Sequence, residues 1–283
     1  MKLLSGIKQI CNIITFLKRL NFYNVKKIVL SFDDGRRDFY NRALPILKKY
    51  GLSSTLNVIS DFVQRDSTIS FPSSLYGLSK EELLSCYSSG LVEIGCHGAH
   101  HLNKKNDILQ NISDLKSMGI QESCFGFASP NSVLTEQNKN EDGIGDLLEQ
   151  GIILYIRSGV QIRREGYFYA ALSLIDRYVH SNILFWYLNR RNVISDKENL
   201  TKIIIPSVAI FSYTRLAQIK SFINRQRDNT ITILMFHSIL NKKDDGYGKD
   251  SYYWDDEEFE SLCSFLKGRN DIMVCKTKDL LLA

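Results

Sequence analysis

The amino-acid sequence predicts an α/β protein whose parallel sheet is curved or closed into a barrel. Short apolar, β-branched segments alternate with segments of helical period, and glycines follow several of the helical segments. Hydrophobic residues make up 44% of the 283 residues and charged residues 24%, as in folded globular proteins. Intrinsic disorder and collagen-like repeats are therefore excluded, and the length allows one large domain.

The predicted strands are short apolar runs that end at polar or turn residues. The first covers 27–32 and is followed by Asp33, Asp34 and Gly35. Seven further strands are predicted at 54–59, 91–96, 124–128, 152–156, 202–205, 231–236 and 272–276. Their regular spacing leaves room for a helix after most of them.

Five helices are predicted from apolar residues at helical spacing, at 39–50, 79–89, 107–118, 142–150 and 255–267. Gly51, Gly90 and Gly119 follow the first three, and glycine readily adopts the left-handed conformation of a helix end. Ser79 and Glu82 have the spacing of a capping box. Strands alternating with helices in this way favour a parallel sheet.

Two segments break the alternation. Residues 157–191 carry six Arg and several interleaved aromatic residues, and we predict an irregular basic and aromatic insertion around 157–200. Two interpretations of its side chains are open. They either stack on sugars and bind phosphates, or they belong to the core, as large apolar residues such as Phe185 and Trp186 usually do. Residues 242–256 are predicted to form a loop beside a site.

Charge and cysteine content narrow the classes of function. Lys plus Arg exceeds Asp plus Glu by 36 − 31 = 5, without the basic runs of a dedicated nucleic-acid binder, so we expect no nucleic-acid partner. The six Cys form no C-x-x-C pair, which argues against a zinc ribbon or a disulfide scaffold and favours a reducing compartment. No apolar run is long enough to span a bilayer.

An amphipathic helix is predicted over residues 1–25, ahead of a catalytic domain over 26–283. Lys8 interrupts the apolar core that a signal peptide needs, so we expect none. The helix either docks on the domain or lies at a membrane surface. The expected location is cytoplasmic, with peripheral contact at the inner membrane as an open alternative.

Polar residues at three predicted strand ends indicate a metal site. Asp33 and Asp34 follow the first strand, His97 and His101 follow the third, and His237 follows the strand at 231–236. Sites in parallel α/β sheets lie at these carboxyl ends. Two adjacent carboxylates suggest a divalent ion with one carboxylate as ligand and the other as base, and two His plus one Asp form an open catalytic zinc set. Each of these features, taken alone, also has an ordinary structural explanation. Two aspartates followed by a glycine after a strand are typical of a solvated turn, and a single histidine near a strand end is typical of a structural residue.

The chain resembles the polysaccharide deacetylases with NodB homology in four segments that span residues 27–240. The segments are Ser31-Phe32-Asp33-Asp34-Gly35, Glu93-Ile94-Gly95-Cys96-His97-Gly98-Ala99-His100-His101, Phe127-Ala128-Ser129-Pro130-Asn131, and the apolar strand 231–236 with His237. The resemblance implies a distorted (β/α) barrel of the polysaccharide deacetylase type.

The resemblance also implies a role for each motif residue. Asp34, His97 and His101 are the implied metal ligands, Asp33 the catalytic base, His237 the general acid, and a backbone N–H near Asn131 an oxyanion donor. The implied ion is Zn²⁺, with Co²⁺, Mn²⁺ or Ni²⁺ as alternatives, and His100 is expected not to bind it. No Arg stands at the third motif, so Asp33 is expected to lack that partner, and no acidic fourth motif is evident around 152–159.

The implied reaction is removal of an N-acetyl group, or secondarily an O-acetyl group, from a sugar. The expected substrate is an N-acetylated sugar or glycan, polymeric, lipid-linked or nucleotide-linked, in the assembly of a cell-surface polysaccharide, lipopolysaccharide or capsule. Two alternatives stay open at this point. They are amide hydrolysis on a non-sugar substrate and a catalytically silent carbohydrate-binding homologue.

Overall fold

The computed structural model describes residues 25–63, 76–159 and 167–281 of the chain. The helix predicted over 1–25 thus lies outside the described residues except for Val25. The described part contains a ten-stranded, mainly parallel sheet, helices packed on it, and a small two-stranded sheet.

The fully buried strand β1 (Lys26–Phe32) lies at the centre of the main sheet. It pairs in parallel with β9 (Thr230–Phe236) on one side and with β2 (Ser54–Val58) on the other. Strands β3 (Val92–Cys96), β4 (Phe125–Ala128) and β5 (Ile153–Arg157) continue the sheet in parallel order beyond β2. The carboxyl ends of all six strands therefore lie at one rim of the sheet.

Two short strands, which do not pair with each other, bring the two ends of the row of strands together. β7 (Ile204–Ile205) pairs in parallel with β5, and β8 (Val208–Ala209) pairs in parallel with β9. Only two residues separate β7 from β8, so this segment joins the two ends of the row of strands. The predicted α/β class and the distorted barrel are confirmed.

Two additional strands pair at the amino-terminal ends of β1 and β9. β6 (Ile194–Ser195) is antiparallel to β9, and β12 (Ile272–Val274) is parallel to β1. The two-stranded sheet consists of β10 (Ser238–Leu240) and β11 (Tyr253–Asp255). β11 lies wholly within the segment predicted as a loop over 242–256, so that prediction is wrong for these three residues.

The helices are α1 (Leu44–Tyr50), which a π-helical turn (Phe39–Ala43) precedes, α2 (Lys80–Ser88), α3 (Lys105–Met118), α4 (Ile144–Glu149), α5 (Tyr167–Val179), α6 (Asn182–Asn189), α7 (Leu216–Asn224) and α8 (Asp256–Lys267). Gly51 and Gly119 end α1 and α3 in the left-handed conformation, as predicted. Ser79 and Glu82 form both hydrogen bonds of the predicted capping box. The segment predicted as an irregular insertion contains α5 and α6, and its first residue, Arg157, is the last residue of β5.

Alternate residues of the strands belong to two different apolar clusters. Ile28, Leu30 and Phe32 belong to the larger cluster, which includes the buried faces of the helices. Val29 belongs to a smaller cluster with Tyr155, Ile231 and others from neighbouring strands. Because side chains alternate between the two faces of a strand, Asp33 follows Val29 and Ser31 on one face of β1, and Arg157 follows Tyr155 on one face of β5.

Candidate active site and metal centre

Asp34, His97 and His101 form a cluster that is able to hold a metal ion. One ligand atom from each of these residues lies within 4.8 Å of those of the others. The Asp34 Oδ1 atom is 3.4 Å from His97 Nε2 and 4.0 Å from His101 Nε2. Two imidazoles and one carboxylate are a common donor set for zinc, so the residues present fit the group that the sequence implied.

Arg36 orients the Asp34 carboxylate. Asp34 and Gly35 both have positive φ values, 75° and 78°, which turn the chain sharply after β1. The buried Arg36 donates from Nε to Asp34 Oδ2 at 2.8 Å and from Nη1 to Ser238 Oγ at 3.0 Å. This leaves Asp34 Oδ1 directed at the two histidines. Burial opposes ionisation, but the Arg36 charge and the nearby histidines hold the pKa of Asp34 well below its usual value.

A backbone carbonyl fixes the orientation of the His97 ring. His97 Nδ1 lies 2.9 Å from the Ala128 carbonyl oxygen at the end of β4, where it donates a hydrogen bond. The other ring nitrogen, Nε2, then faces Asp34 with its lone pair available for an ion. Such hydrogen bonds from the second nitrogen are a regular feature of metal-bound histidines.

The loop from His97 to His101 is held by Asp107 at the start of α3. The Asp107 carboxylate accepts the backbone N–H groups of His100 and Leu102, both at 3.1 Å. It also contacts His100 Nδ1 at 2.8 Å, so the His100 ring is directed at Asp107 and its side chain is 60% exposed. A Cβ atom at Gly98 would lie 2.5 Å from Asp107 Oδ2, which explains why glycine stands there.

Asp33 has two hydrogen-bond donors, one on the neighbouring strand β2 and one at the end of β5. Arg157 Nη2 donates to Asp33 Oδ1, and Asn57 Nδ2 on β2 donates to the same oxygen at 2.9 Å. Burial alone would raise the pKa of Asp33, but the charges of Arg157, His97 and His237 hold it below its usual value. The expectation that Asp33 lacks an arginine partner is wrong, because β5 supplies the arginine that the third motif does not.

His237 and Asn131 complete the set of predicted residues. His237 directly follows β9, is partly buried, and its ring contacts the Tyr252 ring at 4.9 Å between centroids. Burial lowers the pKa of His237, although Asp34 and Asp33 act in the opposite direction. Asn131 and Ser132 follow β4 with positive φ values of 55° each.

All six predicted site residues line one cavity at the carboxyl rim of the sheet. They are Asp33, Asp34, His97, His101, Asn131 and His237. Helices α5 and α6 form part of the outer wall through Asp176, Arg177 and Phe185, and Tyr213 and Tyr252 lie on the same cavity. Part of the segment predicted as an insertion therefore borders the site.

Sequence reasoning did not identify Arg157, Arg36 or Asn57 as site residues. The rule used for the other residues would have found Arg157, since it follows the strand predicted at 152–156 and is thus a carboxyl-end residue. Arg36 follows the first motif directly. Asn57 had no such signal, because it lies inside a strand and its partner is on the neighbouring one.

The fold and the site together define a distorted (β/α)-barrel protein with a candidate metal centre at the carboxyl ends of its strands. Residues 23–158 match the model of the polysaccharide deacetylase family. This matched part is just under half of the chain, and it contains four of the five metal and acid–base candidates.

Similarity to individual proteins is more limited. Poly-beta-1,6-N-acetyl-D-glucosamine N-deacetylases of Staphylococcus aureus strains MSSA476 and MRSA252 are 31% identical over 93 residues, 32% of this chain and 31% of theirs. The aligned part thus spans about a third of those relatives.

Among solved structures, peptidoglycan deacetylase PdaC from Bacillus subtilis aligns over 91% of this chain and 90% of its own, with 15% identity and a TM-score of 0.47. IcaB from Ammonifex degensii aligns over 46% of this chain and 58% of its own, with 20% identity and a TM-score of 0.38.

Proposed function

We propose that this protein is a metal-dependent deacetylase that hydrolyses the N-acetyl group of an amino sugar. The observation that carries the proposal is the convergence, in one cavity, of the Asp34–His97–His101 cluster with Asp33 and His237. The match of residues 23–158 to the model of the polysaccharide deacetylase family supports the same reaction. O-acetyl hydrolysis is the secondary form of the proposal.

We propose Asp34, His97 and His101 as the ligands of one divalent ion, with zinc ahead of cobalt, manganese and nickel. The two imidazoles favour zinc over magnesium or calcium, which prefer oxygen ligands. An ion in this position would lower the pKa of a water molecule and polarise an acetamide carbonyl. The ion itself neither accepts nor donates a proton, so the two proton transfers fall to side chains of the protein.

Asp33 and His237 are suited to the two proton transfers. Asp33 is held in its ionised form by Arg157, so it is able to accept a proton from the attacking water. His237 lies on the same cavity, and it would donate a proton to the nitrogen that leaves as the amine. A backbone N–H near Asn131, in the tight turn after β4, would donate to the developing oxyanion.

The proposed substrate is an N-acetylated sugar or glycan, with lipid-linked and nucleotide-linked sugars as the candidate forms besides a polymer. The aligned relatives are named for the N-deacetylation of poly-β-1,6-N-acetyl-D-glucosamine. Tyr213 and Tyr252 on the cavity wall offer the aromatic surface on which sugar rings commonly pack. A role in the assembly of a cell-surface polysaccharide, lipopolysaccharide or capsule belongs to the same proposal.

The proposal includes a cytoplasmic location. Cys86, Cys96, Cys124, Cys263 and Cys275 are free thiols, which agrees with a reducing compartment. Within residues 25–63, 76–159 and 167–281, no helix has the length and apolar character needed to cross a membrane.

A catalytically silent carbohydrate-binding homologue is the less favoured alternative. The absence of an arginine from the third motif is the observation that favours this alternative. Arg157 donates a hydrogen bond to Asp33, so that observation no longer argues against catalysis. Hydrolysis of a non-sugar amide differs from the proposed reaction only in its substrate, so a panel of substrates distinguishes the two.

The test is acetate release from a panel of substrates by the zinc-loaded protein. The panel contains polymeric, lipid-linked and nucleotide-linked N-acetyl sugars together with simple acetamides, and His97→Ala is the matched inactive control. We expect acetate from at least one amino sugar and little from simple acetamides. Release from acetamides alone would favour the non-sugar amidase, and no release from any substrate would favour the silent homologue.

A further inference from the structure

The outward face of α5 is apolar. Six of its large side chains are between 48% and 97% exposed: Tyr167, Phe168, Leu174, Ile175, Tyr178 and Val179. At about 100° per residue, these six side chains fall within about 140° of the helix circumference. They form one continuous stripe, and Ile183 at the start of α6 is also 66% exposed. We call these seven residues the α5 face.

The polar side of α5 faces the protein, which reverses the usual orientation of a surface helix. Asp176 is buried and accepts hydrogen bonds from Gln218 Nε2 on α7. Ser173 and Asp176 line the catalytic cavity, and Tyr169 stacks on Tyr187 of α6. The inward side is thus occupied by specific polar and aromatic contacts, so rotation of the helix would not bury the apolar stripe without breaking them.

The residues around the α5 face are basic. Arg177 and Arg191 are exposed, Arg190 is partly exposed, and Asp176, which is buried, is the sole acidic residue between residues 167 and 194. Arg163, Arg164 and one acidic residue, Glu165, precede α5 in the sequence. Tyr167 and Tyr178 add phenol groups to the stripe, and such amphipathic rings favour the boundary between lipid and water.

We propose that the α5 face docks on an anionic lipid surface. An apolar stripe with tyrosines and flanking arginines is the pattern of a helix that lies in the plane of a membrane interface. A second copy of the chain fits less well, because a self-associating face would bring the flanking arginines of two copies together. The opposite side of α5 lines the cavity, so docking would place the lipid surface one helix away from the proposed site. The inference does not depend on the deacetylase reaction.

Vesicle cosedimentation of the full chain tests the proposal. The vesicles contain either phosphatidylcholine alone or equal parts of phosphatidylcholine and phosphatidylglycerol. We expect binding to the mixed vesicles and weaker binding to the neutral ones. Ile175→Glu/Tyr178→Glu should weaken binding to mixed vesicles about tenfold or more, because it places two charges in the buried stripe.

The single variant Ile175→Glu has a matched control in Leu109→Glu, which puts the same charge on an exposed leucine of α3. This control should bind as the parent does. Ile10→Glu/Ile14→Glu tests the amino-terminal segment in the same way. If that pair abolished binding while Ile175→Glu/Tyr178→Glu bound as the parent, the α5 face would not be the docking surface.

Sedimentation velocity at several concentrations tests the alternative occupant of the α5 face, which is a second copy of the chain. A parent dimer that Ile175→Glu/Tyr178→Glu dissociates, with no vesicle binding, would assign the α5 face to a second copy and overturn the proposal. Absence of any parent binding to mixed vesicles would do the same. Thermal unfolding checks that each variant is folded, and Phe168→Glu replaces the double variant if it is not.

Discussion

The adjacent residues Asp33 and Asp34 are held by different cations. Arg157 and Asn57 contact Asp33, whereas Arg36 contacts the Asp34 oxygen that faces away from the histidines. Two neighbouring carboxylates would otherwise repel each other and one would take up a proton. A guanidinium for each lets both stay ionised, so one is available as a ligand and the other as a base.

This arrangement predicts different effects for the two amide substitutions. Asp33→Asn keeps the shape and leaves the proposed ligands intact, so we expect bound zinc to be retained while hydrolysis falls by ~10² to 10⁴. Asp34→Asn should weaken zinc binding itself. Titration calorimetry and acetate release measure the two properties. Equal zinc affinity and equal turnover in both variants and the parent would leave the Asp-Asp pair as an ordinary turn.

Arg157 allows a second prediction at the same scale. Arg157→Met removes the charge that keeps Asp33 ionised and oriented, so hydrolysis should fall by about 10² with zinc affinity little changed. Arg157→Lys should restore part of the rate. Arg42→Met, which breaks an ion pair with Asp244 on the surface, is the control. A loss of zinc binding in Arg157→Met that matches the loss of rate would assign Arg157 to the metal centre instead.

Asp38 predicts a pH dependence of stability. Burial raises its pKa to about 6, against the opposing effects of Arg36 and of the Ile239 N–H that it accepts. A pKa raised above the unfolded value of 3.8 means that its stabilising contribution is complete below pH 3.8 and lost above pH 6. The loss is about 3 kcal/mol. The free energy of unfolding of the parent, relative to that of Asp38→Asn, should therefore fall across this interval in denaturant titrations. A constant difference between the two would show that Asp38 ionises normally.

At the residue scale, the sequence is sufficient to predict a site residue that directly follows a predicted strand. Asp33, Asp34, His97 and His237 were predicted in this way, and all four line the cavity. Contacts across strands, such as that between Arg157 and Asp33, depend on which strands are close at the rim, and 124 positions separate those two residues. Residue spacing carries no information about such a contact.

At the scale of elements, the loop between β3 and α3 depends on one side chain of the helix. Asp107 accepts two loop N–H groups and contacts His100, so it holds the loop that carries His101. We expect Asp107→Ala to lower zinc affinity by about tenfold to a hundredfold, although Asp107 is not a proposed ligand. Asp114→Ala on the same helix removes an acceptor for Ser60 and should leave the affinity unchanged. Calorimetry on both variants decides, and an unchanged affinity in Asp107→Ala would show that the loop holds its shape alone.

Elements with strong end signals were predicted well, and elements that depend on tertiary contacts were not. Helices α1, α2 and α3 end near glycines, and α2 begins with a capping box. By contrast, α7 follows Arg215, which gives no conventional start signal, and its apolar residues are buried against distant parts of the chain. Strand β7 forms the last two residues of the strand predicted at 202–205, whereas β8 is two residues long and was not predicted. It is too short for a period to be read, and it forms because it pairs with the edge of β9.

At the scale of the whole molecule, the order of the strands in the sheet explains why distant motifs meet. β1 and β9 are adjacent although about two hundred residues lie between them, and this pairing brings His237 to the rim beside Asp33 and Asp34. The alternation of strands and helices predicted the class of fold. It did not predict the closing segment, whose position follows from the β5 and β9 edges that it joins.

The same geometry predicts that zinc stabilises the entire barrel. The proposed ligands come from the ends of β1 and β3, so an ion would link two parts of the ring that the unfolded chain keeps apart. An ion that binds only the folded state at about a hundred times its dissociation constant adds about 2.7 kcal/mol to the free energy of unfolding. We expect zinc to raise the unfolding midpoint by several degrees and a chelator to reverse the effect. His97→Ala should show no zinc-dependent shift, because two ligands retain too little affinity. An equal shift in His97→Ala and the parent would mean that the ion stabilises the protein from another place.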